Sequence, residues 1–291
     1  MRGRGFPKLA AMRVEDGERV REVLGRHLSA YRVERVERLG EGQDNVAFEV
    51  NGELVVRFAK EPDAEEAERE ARLLARVAEI SPIPVPTPVF SVTEIGCVAY
   101  WKVPGRQLLG LPGAPVAEIG ATLGGYLAVL NAVPLERMAD VVGVDDDPPS
   151  RWLAEAAELY VPETVLTVHR GPVEEFLATE PPPARPGLVF SHNDLGVEHV
   201  LVDPRTWTVT GVIDWTDAAF TDPAYDLGLL YRDLGPAAFE AALAAYGDDE
   251  PRERAVFLAR CTVLEDLEYG IRSGKRVYAE NALASMEWLF C

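Results

Sequence analysis

The densest run of residues able to do chemistry is Ser191-His192-Asn193-Asp194-Leu195-Gly196-Val197-Glu198-His199, set between apolar stretches at 188–190 and 200–202. A further apolar stretch, 209–213, ends on Asp214-Trp215. A hairpin between these stretches would bring Asp194, His199 and Asp214 to one strand end. Carboxylates gathered there can hold a hard divalent cation and accept a proton from a hydroxyl. A single such aspartate reads equally well as a loop cap bonded to neighbouring backbone. Three such groups at two strand ends point to chemistry.

The elements that must position them change character along the chain. Residues 14–30 read as a helix. Short strands follow at 32–37, 46–50 and 54–58, with Gly40-Glu41-Gly42 interrupting and Asn51-Gly52 as a hairpin turn. Residues 65–80 form a helix with Ala71, Leu74, Ala75 and Ala78 available for its apolar face, ended by Pro82, Pro84, Pro86 and Pro88. Strands at 90–92 and 97–103 precede Pro104-Gly105, where a boundary falls. Helices are expected at 116–132, 151–161, 172–179, 224–233, 237–246, 251–269 and 277–290, with short strands at 188–191, 200–202 and 209–213 around the two polar loops. The outcome is α+β: a small antiparallel-sheet lobe over 1–103 and a larger, mainly helical lobe over 104–291.

Charge separates the same two parts. The 291 residues carry a formal net charge of -19 and 47% are hydrophobic, enough to bury a core. Residues 1–100 hold 18 acidic and 15 basic side chains; residues 101–291 hold 30 and 14. Such a balance excludes the basic stripe of a nucleic-acid binder and disfavours an anionic membrane surface. It suits either solubility or the gathering of cations. Cys97, Cys261 and Cys291 are odd in number and far apart, so they read as inert thiols in a reducing compartment. The first 13 residues have no apolar core of a signal peptide, and no stretch is long enough to span a membrane. A cytoplasmic location is expected.

His192-x-Asp194, with His199 five residues later and Ile213-Asp214-Trp215 beyond, resembles the antibiotic kinases: the aminoglycoside and macrolide phosphotransferases, relatives of the protein kinases. Asp222-Pro223-x-x-Asp226 fits the same pattern, and the resemblance runs from about residue 32 to 234. It implies a two-lobed protein-kinase-like fold and a reaction that is mostly positioning and charge neutralisation. By that resemblance Asp194 is the catalytic aspartate, Asp214 binds Mg2+, and His199 departs from the Asn that many relatives have there as a second metal ligand, although macrolide kinases are similar in having His. Imidazole is a poorer magnesium ligand than oxygen, so His199 is either a ligand or a positioning hydrogen-bond partner. In the first lobe Gly40, Gly42 and Asn45 would let backbone N–H groups approach phosphates. Arg57 stands where the family usually has a phosphate-binding lysine, with Glu70 as its partner; otherwise Arg57 is an edge-strand surface residue and Glu70 part of a solvated face. Tyr100, Trp101, Lys102 and Val103 resemble the nucleotide-contacting hinge, whose backbone groups do not separate ATP from GTP.

For the acceptor, Glu265, Asp266, Glu268 and Tyr269 cluster on one predicted helix. They form either a cation-binding wall or a solvated face. Asp145-Asp146-Asp147 reads as an exposed loop, and Trp152, Trp288 and Phe290 as core. The expected activity is transfer of the γ-phosphate of ATP or GTP to a hydroxyl of a cationic antibiotic, an aminoglycoside or basic peptide, conferring resistance. A macrolide acceptor is the alternative that His199 favours. Kinases of choline, homoserine or a sugar, an inactive kinase-fold binding module and, more remotely, a metal-dependent hydrolase also fit parts of the pattern. The expected partner is a small molecule, with no nucleic acid or membrane, and the chain acting as a monomer or homodimer.

Overall fold

The computed structural model describes residues 14–41 and 45–291. The chain divides into two compact units, one taking the residues up to Glu79 together with Val85–Val103, the other Ile80–Pro84 and Pro104–Cys291.

In the first unit α1 (Val14–His27) leads into β1 (Val36–Glu41), β2 (Asn45–Val50) and β3 (Leu54–Ala59). Then come α2 (Ala64–Ile80), β4 (Pro88–Val92) and β5 (Cys97–Trp101). The strands form one antiparallel sheet in the order β1-β2-β3-β5-β4. Asn51 and Gly52 turn the β2–β3 hairpin with φ of 55° and 83°, the left-handed geometry that these residue types accept most cheaply. The Asn51 side chain also accepts from the Glu34 and Arg35 amides and donates to the Arg32 carbonyl. That tether takes residues 32–35 out of the sheet. β1 therefore starts later than the alternation suggests and runs through Gly40, which sits beside a register shift.

The core of this unit joins Val20, Val23 and Leu24 of α1 to Phe48, Val50, Leu54, Val56 and Phe58 of the hairpin. On α2 the buried residues are Ala67, Leu73, Leu74 and Val77, while Ala75 is exposed. The face is rotated from the alanine stripe because a leucine or valine removes more apolar area from water than an alanine does.

The second unit holds β6 (Arg106–Gln107), α3 (Val116–Asn131), β7 (Gly143–Val144), α4 (Pro149–Leu159) and α5 (Thr167–Leu177). Next come β8 (Val189–Ser191), β9 (Val200–Val202), β10 (Val209–Val212) and β11 (Ala219–Thr221). The helices α6 (Ala224–Leu234), α7 (Pro236–Tyr246), α8 (Arg252–Ser273) and α9 (Arg276–Leu289) complete it. Two small sheets, β10-β9-β6 and β7-β11-β8, carry the polar loops. The two-residue strands β6 and β7 are too short to leave a sequence pattern. α5 begins five residues before Pro172, since burial of His169, Val173 and Phe176 outweighs the backbone bond that proline forfeits. α3 and α7 approach with backbone almost touching: a Cβ on Gly120 or Gly124 would lie 2.3 or 2.1 Å from the carbonyl of Ala238 or Ala242.

Candidate active site

β8 delivers the chain into the loop 192–199, and β9 takes it away. Asp226, fully buried near the start of α6, holds this loop from behind. Its Oδ2 accepts from Ser191 Oγ at 2.5 Å and the Asn193 amide at 2.9 Å; its Oδ1 accepts from the Leu195 amide at 2.9 Å. The backbone on both sides of Asp194 is thus fixed by one carboxylate. A carboxylate accepting several N–H and O–H donors suits this task because each bond is charge-assisted. The sequence pattern singled out Asp226 without giving it this role.

Asp194 is 3% exposed, and its Oδ2 lies 3.1 Å from His199 Nε2. The His199 ring therefore faces the Asp194 carboxylate. Glu198 Oε1 stands 4.0 Å from the same nitrogen. The preceding His192 donates Nε2–H to the Ile213 carbonyl and packs edge-on against Trp215, with ring centroids 4.6 Å apart. Burial pushes His192 down to about 4, so it is neutral and acts as a strut between the two loops. The Ile213 amide in turn donates to the His199 carbonyl. Asp214 follows at φ 63°, a left-handed conformation uncommon for a residue with a side chain, and its Oδ1 accepts from Thr216 Oγ1 at 2.8 Å. Thus Asp194, His199 and Asp214 belong to two loops laced by backbone and imidazole bonds.

Beyond Glu198 lies a cluster of charge in which Glu198, Arg232 and Asp233 are buried and Asp266 is half-buried. Arg232 on α6 pairs with Asp233 at 2.6 Å and with Asp266 on α8 at 3.1 Å. Asp233 also accepts from the Val197 amide. Three carboxyl groups, Glu198, Asp233 and Asp266, thus act on one guanidinium. Burial raises Asp266 to about 8; Arg232 pulls it down, while Glu198, Asp233 and Glu265 push it further up. Of the four candidate acceptor residues on α8, Asp266 faces this cluster. Glu268 pairs with exposed Arg272 at 2.7 Å, and the Tyr269 hydroxyl accepts from Lys275 at 2.6 Å. Glu265 is half-buried and acts on Asp266 through its charge.

Asp145, Asp146 and Asp147 are not simply an exposed loop. They line a cavity of about 290 Å3 with Arg185, Asp222 and Tyr225, and with Trp152, which is half-buried instead of core. Asp145 reaches the candidate catalytic loop by accepting from Asn193 Nδ2 at 2.9 Å. Trp288 is half-buried and donates to the Tyr231 carbonyl; Phe290 is buried.

In the first unit Arg57 of β3 is half-buried, and its guanidinium is ion-paired to Glu70 of α2. That pairing is the one the resemblance implies. Gly40 is buried in β1 and Asn45 opens β2 opposite Ala59, whereas Gly42 lies outside the described residues. Tyr100 pairs with Val55 across the sheet, Trp101 is 46% exposed and Val103 is buried. Lys102 donates its amide to the Glu53 carbonyl and its ammonium to Glu49, so its side chain is committed inside the unit.

Residues 35–257 match the phosphotransferase enzyme family, and the chain belongs to it. An aminoglycoside 3'-phosphotransferase of Streptomyces fradiae is 34% identical over 182 residues, covering 55% of this chain and 66% of that protein. A solved complex of an APH(2") protein with GDP and kanamycin superposes with a TM-score of 0.70 at 25% identity, covering 92% of this chain and 97% of the other. A macrolide 2'-phosphotransferase from Brachybacterium faecium gives a TM-score of 0.62 at 26% identity, over 92% and 98% of the two chains. The family match takes in Arg57, Glu70, Asp194, His199, Asp214 and Asp226 but stops short of Glu265, Asp266 and Glu268.

Proposed function

We propose that this phosphotransferase moves the γ-phosphate of ATP or GTP to a hydroxyl of a cationic antibiotic, an aminoglycoside first. The observation that carries the acceptor is the buried cluster beside Asp194, where Glu198, Asp233 and Asp266 share one guanidinium. Gathering three carboxyl groups round one guanidinium is costly unless they are neutralised or paired. A substrate ammonium would bring a second positive charge to them, and binding it would draw Asp266 back toward its ionised form. Such a site selects a polyamine sugar over a neutral ring.

Asp194 is the group that orients the acceptor hydroxyl and takes its proton as the new oxygen–phosphorus bond forms and the bond to the departing nucleoside diphosphate breaks. His199 Nε2 lies 3.1 Å from Asp194 Oδ2 and helps to hold the carboxylate in place. Arg57, braced by Glu70, neutralises phosphate charge with a planar fork.

Among the described residues no group of three or more His, Cys, Asp or Glu gathers at metal-ligating spacing. The donors nevertheless fit magnesium, which keeps most of its water and takes one or two carboxylates plus substrate phosphates. Asp214 is the carboxylate that would hold it. Bound there, the ion would neutralise phosphate charge. His199, turned toward Asp194, serves as a positioning residue in this reading.

The test is nucleotide consumption with ATP and GTP across aminoglycosides, basic peptide antibiotics and macrolides. The expected result is turnover with amine-bearing acceptors, weakened by salt, and lost in Asp194→Ala with nucleotide affinity kept. Turnover restricted to macrolides would overturn the cationic acceptor. Retained turnover in Asp194→Ala would overturn the mechanism.

A further inference from the structure

Asn193 holds the candidate catalytic loop in a way the reaction scheme does not yet use. It is 4% exposed and sits at φ 59°, a conformation that glycine adopts without steric cost. Asparagine also accepts it cheaply, and unlike glycine it brings a side chain: the Asn193 carboxamide donates to Asp145 Oδ2 at 2.9 Å and to the Asp217 carbonyl at 3.1 Å. The first partner follows β7; the second closes the loop that begins at Asp214. Its own amide is meanwhile held by Asp226. One residue beside Asp194 therefore ties the catalytic loop, the metal-side loop and the 145–147 segment.

We propose that the Asn193–Asp145 hydrogen bond is a positioning device that sets Asp194 against Asp214. In this device Asp145 acts on the reaction through Asn193 and without touching the substrate. The asymmetry of the bond supports this. Asp145 can only accept, so it fixes which way the amide points, and with it the donor aimed at Asp217. An amide turned over would put its oxygen against two oxygens. The order of the two loops thus depends on a carboxylate 48 residues upstream. The proposal rests on the phosphotransferase reading above, in which Asp194 and Asp214 act together.

The test is a double-mutant cycle of Asn193→Gly, which keeps the backbone conformation, and Asp145→Ala. Each single variant is expected to lose about ten- to a hundredfold in kcat with nucleotide KM within about threefold, as for misplacement of a reacting group. The double variant should be no worse than the poorer single. Asp145→Asn, which keeps an oxygen acceptor, should restore most of what Asp145→Ala loses. Multiplicative losses, or an unchanged kcat in either single variant, would overturn the proposal. If Asn193→Gly does not fold, Asp145→Ala and its Asn counterpart carry the test. Amide hydrogen exchange of peptides over 192–199 and 213–219 gives a readout independent of turnover: both should exchange faster in Asp145→Ala. If the wild-type chain phosphorylated no acceptor, the functional reading would fail, and unchanged exchange in 213–219 would separately sink this one.

Discussion

Replacing Asp226 by asparagine tests whether one buried carboxylate shapes the loop that carries Asp194. The aspartate accepts three bonds, two of them from the amides flanking Asp194. Asparagine keeps a single oxygen. With that oxygen toward Ser191 and Asn193, the Leu195 amide faces an NH2 group, and an orphaned buried donor costs about 1–3 kcal/mol. The two surviving bonds lose their charge assistance, roughly half their strength. Removing a buried charge returns part of this, because its desolvation no longer has to be offset. The net loss in stability should be about 2–4 kcal/mol. Four of the five tryptophans, at 152, 207, 215 and 288, belong to the second unit, so fluorescence-detected urea unfolding reports mainly on it. The same variant should lose about a hundredfold in kcat, since a small displacement of a reacting group is that costly. Nucleotide affinity should hold within about threefold, because Arg57 and Glu70 belong to the other unit. An unshifted urea midpoint with kcat within about threefold of wild type would refute the clamp. So would a loss of nucleotide affinity as large as the loss of kcat.

Arg57→Met should cut kcat/KM for the nucleotide by about ten- to a hundredfold, with Arg57→Lys recovering part of it, measured by steady-state kinetics. Asp266 is held at about 8 in the folded chain, against about 3.9 when unfolded. Between those values the folded state keeps a proton that the unfolded chain has released, so stability falls as pH rises through the window. Asp266→Asn should flatten that part of a Tm profile taken from pH 4 to 9. Gly124→Ala would press its Cβ to 2.1 Å from the Ala242 carbonyl and should cost about 1–3 kcal/mol in thermal or urea unfolding. Gly125→Ala, with nothing within 4 Å, should instead be neutral or stabilising by up to about 1 kcal/mol.

The sequence by itself determined what local chemistry determines. Asn51-Gly52 specified a hairpin turn because few other pairs accept its dihedrals. The spacing of His192, Asp194, His199 and Asp214 around apolar strands carried a family resemblance that implied the reaction class, and the charge imbalance pointed to a cationic acceptor. Tertiary structure decided what depends on residues far apart in the chain. Whether His199 turns to Asp194 depends on a loop held by Asp226. Asp266, not Glu268, faces the buried cluster because Arg232 of another helix meets it there. Asp145 looked like a solvated loop residue, yet β7 pairing with β11 carries it to Asn193. Sequence spacing records which groups exist and which share a turn or a strand. Their burial, pairing and proton affinity arise only when packing removes water and chooses their partners.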